Sequence, residues 1–148
     1  MGAYGACKIA LKEPGRFGKV GLLSGVLDIQ QMVDAAPMFL RDWQLCFGGT
    51  QIPDSENPLK LLPQVKILPE FYHYCGTEDF LAEGNRTFCT LCNTLNIPLT
   101  SVWEEKGIHE WHYWDQQLPH LLNWLDPDAA TPFGSETLLQ ERLQTSRS

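Results

Sequence analysis

Residues 71–103 read FYHYCGTEDFLAEGNRTFCTLCNTLNIPLTSVW, and the fold turns on this stretch. Phe71-Tyr72-His73-Tyr74-Cys75 and Leu99-Thr100-Ser101-Val102-Trp103 are short runs rich in aromatic and β-branched residues, bounded by Gly76-Thr77 and by Pro98, and such runs form strands. Between them, Leu81 to Asn96 is helical in character, with Phe88, Leu91, Cys92 and Leu95 at i, i+3, i+4 and i+7. A strand, a helix and a strand in so short a span imply a parallel pair joined by a right-handed crossover.

Upstream, Val20-Gly21-Leu22-Leu23-Ser24-Gly25 is an apolar run between glycines, the pattern of a strand buried on both faces of a parallel sheet. Ala3 to Lys12 carries apolar residues on a helical period and is halted by Pro14-Gly15. Residues 28–69 are rich in Pro, Gly, Asp and Asn, with short helical patches at Met38 to Cys46 and Asn57 to Leu62, so an irregular, cap-like excursion is expected there. Downstream, a helix should begin near Trp111, run through Leu118, Leu121, Leu122 and Leu125, kink at Pro119 and stop at Asp126-Pro127. The expected fold class is α/β, about three parallel strands with flanking helices over 1–125. Residues 126–148 read as a peripheral tail.

The 148 residues suffice for one domain that buries roughly two-thirds of its unfolded surface. Hydrophobic residues at 43% and charged residues at 20% describe a packed protein rather than a disordered one. A formal charge of −7 argues against nucleic acid and anionic membranes as partners, since both require clustered Lys and Arg to displace counterions. A small molecule, neutral or cationic, fits better. The sequence contains no run of eighteen apolar residues and does not open on a basic-then-apolar leader, so a cytoplasmic protein is expected. Five cysteines, an odd number without a framework, suggest reduced thiols.

In an open α/β sheet, ligands sit beyond the carboxyl ends of the strands, where loops present side chains without disturbing the core. Asp79 follows the second strand by a Gly-Thr turn, and His109 follows the third through Glu104-Glu105-Lys106-Gly107, with Gly107 expected to supply a sharp turn. Neighbouring strands would therefore bring a carboxylate and an imidazole together. Such a pair fixes the imidazole tautomer and stabilises the imidazolium formed when the ring takes a nucleophile's proton. The opening Met1-Gly2-Ala3-Tyr4-Gly5-Ala6 reads as the second half of a nucleophile elbow, cut immediately after the serine.

From Met1 to about Leu125 the chain resembles the C-terminal half of the α/β-hydrolase family that includes esterase D, S-formylglutathione hydrolases and tributyrin-type acetylesterases. The blocks that carry the resemblance are MGAYGA, LLSGVLD, YCGTEDFL, NRTF and VWEEKGIHEWHYWD. It implies Asp79 as triad acid and His109 as triad base in hydrolysis of small acyl esters or thioesters through an acyl-serine, with no cofactor and no metal. It also implies that Met1 stands where the family's oxyanion-hole amide would be, and that the serine and the second oxyanion donor belong to an N-terminal half outside this sequence. Negligible turnover by the chain alone is therefore expected, along with self-association through an exposed edge of the first strand. Trp111 is the candidate substrate-binding residue, an aromatic wall for an acyl pocket, although Trp111, Tyr113 and Trp114 read more simply as a packing face. The alternative functional class is a non-catalytic α/β binding or scaffolding module.

Other chemistry-bearing residues have plainer readings. Ser24 lies at a strand end with glycines wrongly spaced for an elbow. Cys89 and Cys92 form a C-x-x-C inside a predicted helix and should be two core-facing thiols. His109 and His112 lack the i, i+4 spacing of zincins. His73, within an apolar strand, should be a satisfied core histidine and His120 a helix-surface one.

Overall fold

The computed structural model describes residues 1–128, which fall into two compact units, the first spanning Met1–His109 and the second beginning at Glu110. In the first unit, helix α1 (Gly2–Lys12) buries Tyr4, Cys7, Ala10 and Leu11, one stripe of the helical period. The chain then reverses through Pro14 and Gly15, whose φ of +79° is a conformation that favours glycine. Strand β1 (Lys19–Leu23) follows. Its burial alternates, with Val20 and Leu22 buried and Lys19, Gly21 and Leu23 only partly so, which corrects the expectation of a strand buried on both faces. The reason is its position: in the order β1-β2-β3, β1 is an edge strand, paired among the described residues only with β2.

Strand β2 (Glu70–Gly76) is central, and every residue after Glu70 is buried. Both pairings are parallel, Val20 opposite Phe71 on one side and Phe71 opposite Leu99 on the other, where β3 (Leu99–Glu104) forms the second edge. Helix α5 (Ala82–Thr94) makes the crossover. Its buried stripe is Ala82, Asn85, Phe88, Cys89 and Cys92, whereas Leu95, expected on that face, caps the helix and is exposed. The two C-x-x-C thiols face the core, in agreement with their spacing. Phe71 and Phe88 meet edge to face, with centroids 5.5 Å apart, at the centre of a cluster that joins α1, β1, β2 and α5.

The 28–69 excursion is more helical than its composition suggested. Helix α2 (Ile29–Ala35) is additional, whereas α3 (Leu40–Phe47) and α4 (Pro58–Leu61) lie at the expected patches Met38 to Cys46 and Asn57 to Leu62. Asp28 caps α2 by accepting from the Gln31 amide at 3.1 Å, and Asn57 caps α4 in the same way through Leu59. A second apolar cluster of Tyr4, Val26, Ile29, Val33, Ile52 and Leu81 ties this segment to α1 and to the turn before α5. Polar ties reinforce it: the Tyr4 hydroxyl donates to the Glu56 carbonyl at 2.8 Å, and Lys8 and Lys12 pair with the Glu56 carboxylate.

In the second unit, helix α6 (Trp111–Leu125) has the bounds that the leucine spacing gave it, with Pro119 inside. Trp111 and Trp114 stack edge to face at 5.1 Å, His112 pairs with Glu110, and His120 is exposed, as a helix-surface residue should be. Of the tail expected over 126–148, only Asp126, Pro127 and Asp128 are described, and all three are exposed. Among the described residues no helix is long and apolar enough to cross a membrane.

Candidate active site

The ends of β2 and β3 lie side by side, with Gly76 opposite Glu104. Beyond that point the two following loops are laced together: the Thr77 amide donates to the Glu104 carbonyl at 2.9 Å, the Glu78 amide to the Gly107 carbonyl at 3.0 Å, and the Lys106 amide to the Thr77 hydroxyl at 2.9 Å. The left-handed residue of the β3 loop is Lys106, with φ of +59°, rather than Gly107, which corrects the role expected for that glycine. Gly107 is instead required by proximity. A Cβ built on it would stand 3.0 Å from the Gly76 Cα, and one built on Gly76 would stand 2.1 Å from the Gly107 carbonyl oxygen.

This lacing brings Asp79 and His109 together. The Asp79 side chain is completely buried; one carboxylate oxygen accepts from the Leu81 amide at 2.9 Å, and the other lies 2.9 Å from His109 Nδ1. Because a carboxylate can only accept, Nδ1 carries the proton and the neutral ring keeps its lone pair on Nε2. That is the tautomer a general base needs. The His109 side chain is about 30% exposed, and the Phe80 ring packs on it with centroids 4.7 Å apart.

Behind the pair runs a polar network of which sequence reasoning singled out only His73. His73 Nδ1 is 3.0 Å from the Ser101 hydroxyl and Nε2 is 2.9 Å from Asn85 Oδ1, while Asn85 Nδ2 donates to the carbonyls of Gly25 and Leu81, each at 2.8 Å. Asn85 thus pins the turn that holds Asp79 as well as the loop after β1. Burial drives the His73 pKa down to about 4, with the bond to Asn85 opposing, so the ring is neutral. His73 is the satisfied core histidine its apolar strand suggested. The only sequence signal for Asn85 was its place one turn after Leu81, within the NRTF block.

Ser24 closes β1, is 5% exposed, has φ of +44° and donates its amide to the Tyr74 carbonyl at 2.8 Å; no helix begins until Ile29. It is a strand-end residue, not an elbow serine. Cys75, buried beside the site, has a thiol pushed up to about 12 by burial first and by the Asp79 charge second, so it is inert. Met1 is the N-cap of α1 and is exposed. Trp111 belongs to the second unit and is 76% exposed, not a buried packing residue. Among the described residues no group of three or more His, Cys, Asp or Glu could hold a metal ion.

The chain matches no protein-family model. It is 27% identical over 139 residues to an acetyl esterase of Caldicellulosiruptor saccharolyticus, the match covering 84% of this chain and 51% of that enzyme. Among solved structures it is similar to the S-formylglutathione hydrolase of Staphylococcus aureus, with 28% identity and a TM-score of 0.67 over 84% of this chain and 50% of the other. A fluorophosphonate-binding serine hydrolase F of the same organism gives 25% identity and 0.67 over 83% and 50%. The fold is therefore that of the α/β-hydrolase esterases. In sequence and fold the chain is similar to these esterases and hydrolases, and it spans about half the length of the relatives it matches.

Proposed function

We propose that this chain supplies the acid and base of a serine carboxylesterase acting on small acyl esters or thioesters, with Asp79 as the acid and His109 as the base. The observation that carries the reading is the 2.9 Å contact between a fully buried carboxylate and a partly exposed imidazole at the carboxyl ends of adjacent parallel strands. In the reaction, His109 Nε2 takes the proton of a serine hydroxyl as the oxygen attacks the ester carbonyl, then returns it to the departing alcohol or thiol. Asp79 stays ionised and holds the imidazolium. Met1, the N-cap of α1, is assigned as a donor to the oxyanion in this reading. The reaction requires a serine nucleophile, and the hydrolysis assay distinguishes one within these residues from one supplied by a complementary hydrolase segment. The outer edge of β1, with no strand beside it among the described residues, makes association with itself or with a complementary hydrolase segment favourable.

The test is hydrolysis of p-nitrophenyl acetate by the chain, alone and mixed with the N-terminal half of a related esterase. The expected result is background cleavage alone and, on mixing, turnover that His109→Ala and Asp79→Asn lower by about 10³-fold or more. Turnover on mixing that is indifferent to both substitutions would refute the assignment. A binding or scaffolding role would show instead as a ligand that raises the melting temperature and is not consumed.

A further inference from the structure

A cavity of about 220 Å³ opens in the first unit between the loop after β1, the start of α2 and the start of α5. Its apolar wall includes Val26, Met32, Phe80 and Leu81, and its charged lining residues are Asp28, one of whose carboxylate oxygens caps α2, and Glu83. Phe80 belongs to two places at once. It lines this cavity, and its ring packs on the His109 imidazole with centroids 4.7 Å apart, so one residue adjoins both the cavity and the base. The walls are held firmly: Asn85 ties Gly25 to Leu81, and a Cβ on Gly84 would press on Asp28 Cβ and Gln31 Oε1 at 3.0 Å.

We infer that this cavity binds the acyl portion of the ester processed at His109, and that it takes short acyl groups ending in a neutral or ammonium group while rejecting those ending in a carboxylate. The size argument is volumetric, since about 220 Å³ equals roughly seven water volumes and suits a short chain rather than a long lipid tail. The charge argument is the lining itself: two carboxylates and no Lys or Arg. An incoming carboxylate would meet like charge with no cation to offset it, whereas an amide, hydroxyl or ammonium would find acceptors. The acyl role rests on the hydrolase reading, but the selectivity of binding does not.

The experiment is an ¹H–¹⁵N titration of the isotopically labelled chain with butyramide, n-butylammonium and butyrate in turn. Butyramide and butylammonium are expected to shift the amides of Gly25, Val26, Leu81 and Gly84, with butyrate binding weaker by about tenfold or more. The Asp28→Asn/Glu83→Gln double variant, which keeps the α2 cap, should bring butyrate to within about threefold of butyramide. No shift at these amides with any probe, equal binding of butyrate by the parent chain, or discrimination unchanged in the double variant would each overturn the inference. If the selective shifts occur but the mixed-half assay shows no His109-dependent turnover, the hydrolase reading falls while the ligand class stands. If His109-dependent turnover occurs without selective binding, the ligand class falls while the hydrolase reading stands.

Discussion

Replacing Gly76 by alanine should damage the site without touching Asp79 or His109. A Cβ at position 76 would lie 2.1 Å from the Gly107 carbonyl oxygen and 2.3 Å from its carbon, against a practical minimum of 3.0 Å. The two segments must therefore part by about 0.9 Å, 3.0 minus 2.1. Both are backbone, so no rotamer relieves the clash. Separation on that scale breaks or strains the bonds from the Thr77 amide to Glu104 and from the Glu78 amide to Gly107. Overpacking of about 1–3 kcal/mol and two weakened hydrogen bonds of about 1 kcal/mol each sum to ~3–5 kcal/mol, a melting-temperature loss of about 10 °C or more. The Asp79–His109 contact should loosen as well, and a misplacement near 1 Å lowers reaction rates by about 100-fold. Circular dichroism melting reads the first effect and the low-field Nδ1 proton resonance of His109 the second. Gly49→Ala, with nothing within 4 Å of its Cβ, is the control. If Gly76→Ala melts within about 2 °C of the parent and keeps the low-field resonance, the account of how these loops are joined is wrong.

Other consequences concern the buried network and the thiols. Asn85→Leu leaves the Gly25 carbonyl and the His73 Nε2 proton unpaired, and chemical denaturation should show a loss of about 2–5 kcal/mol. His73 is neutral in the folded protein, with a pKa near 4 against 6.5 when unfolded, so the unfolded chain binds the extra proton. Its contribution, about 3 kcal/mol, is complete above pH 6.5 and lost progressively as the pH falls toward 4. His73→Phe should flatten that part of the stability profile; an unchanged slope would rule His73 out as its source. Cys46 is exposed while Cys7, Cys75, Cys89 and Cys92 are buried, with burial raising the pKa of each. Iodoacetamide should therefore modify one thiol in the native protein and all five after denaturation, as counted by mass spectrometry.

The β2–α5–β3 unit was legible because its pattern is local: a five-residue apolar run, a 3.6-residue period and a second run each declare themselves within a short window. Helix α6 was legible for the same reason, its leucine spacing and the Asp126-Pro127 stop defining it. Within the excursion α3 and α4 fall at the two helical patches that the sequence indicated, whereas α2 was missed because the cap at Asp28 that starts it went unread. Burial of β1 was overestimated because composition does not reveal whether a strand is central or at an edge.

For the candidate site, the sequence by itself determined that an aspartate follows one strand and a histidine the next, in an order that parallel pairing makes neighbours. Only the tertiary structure decided that they touch, since a 2.9 Å contact depends on strand register and on a glycine-to-glycine crossing between segments thirty-one positions apart, 107 minus 76. It alone disclosed Asn85 as the anchor of both loops and Phe80 as the wall shared by histidine and cavity. The physical reason is that periodicity encodes which side of an element is buried, whereas the partner a buried polar group meets there is set by packing between distant segments.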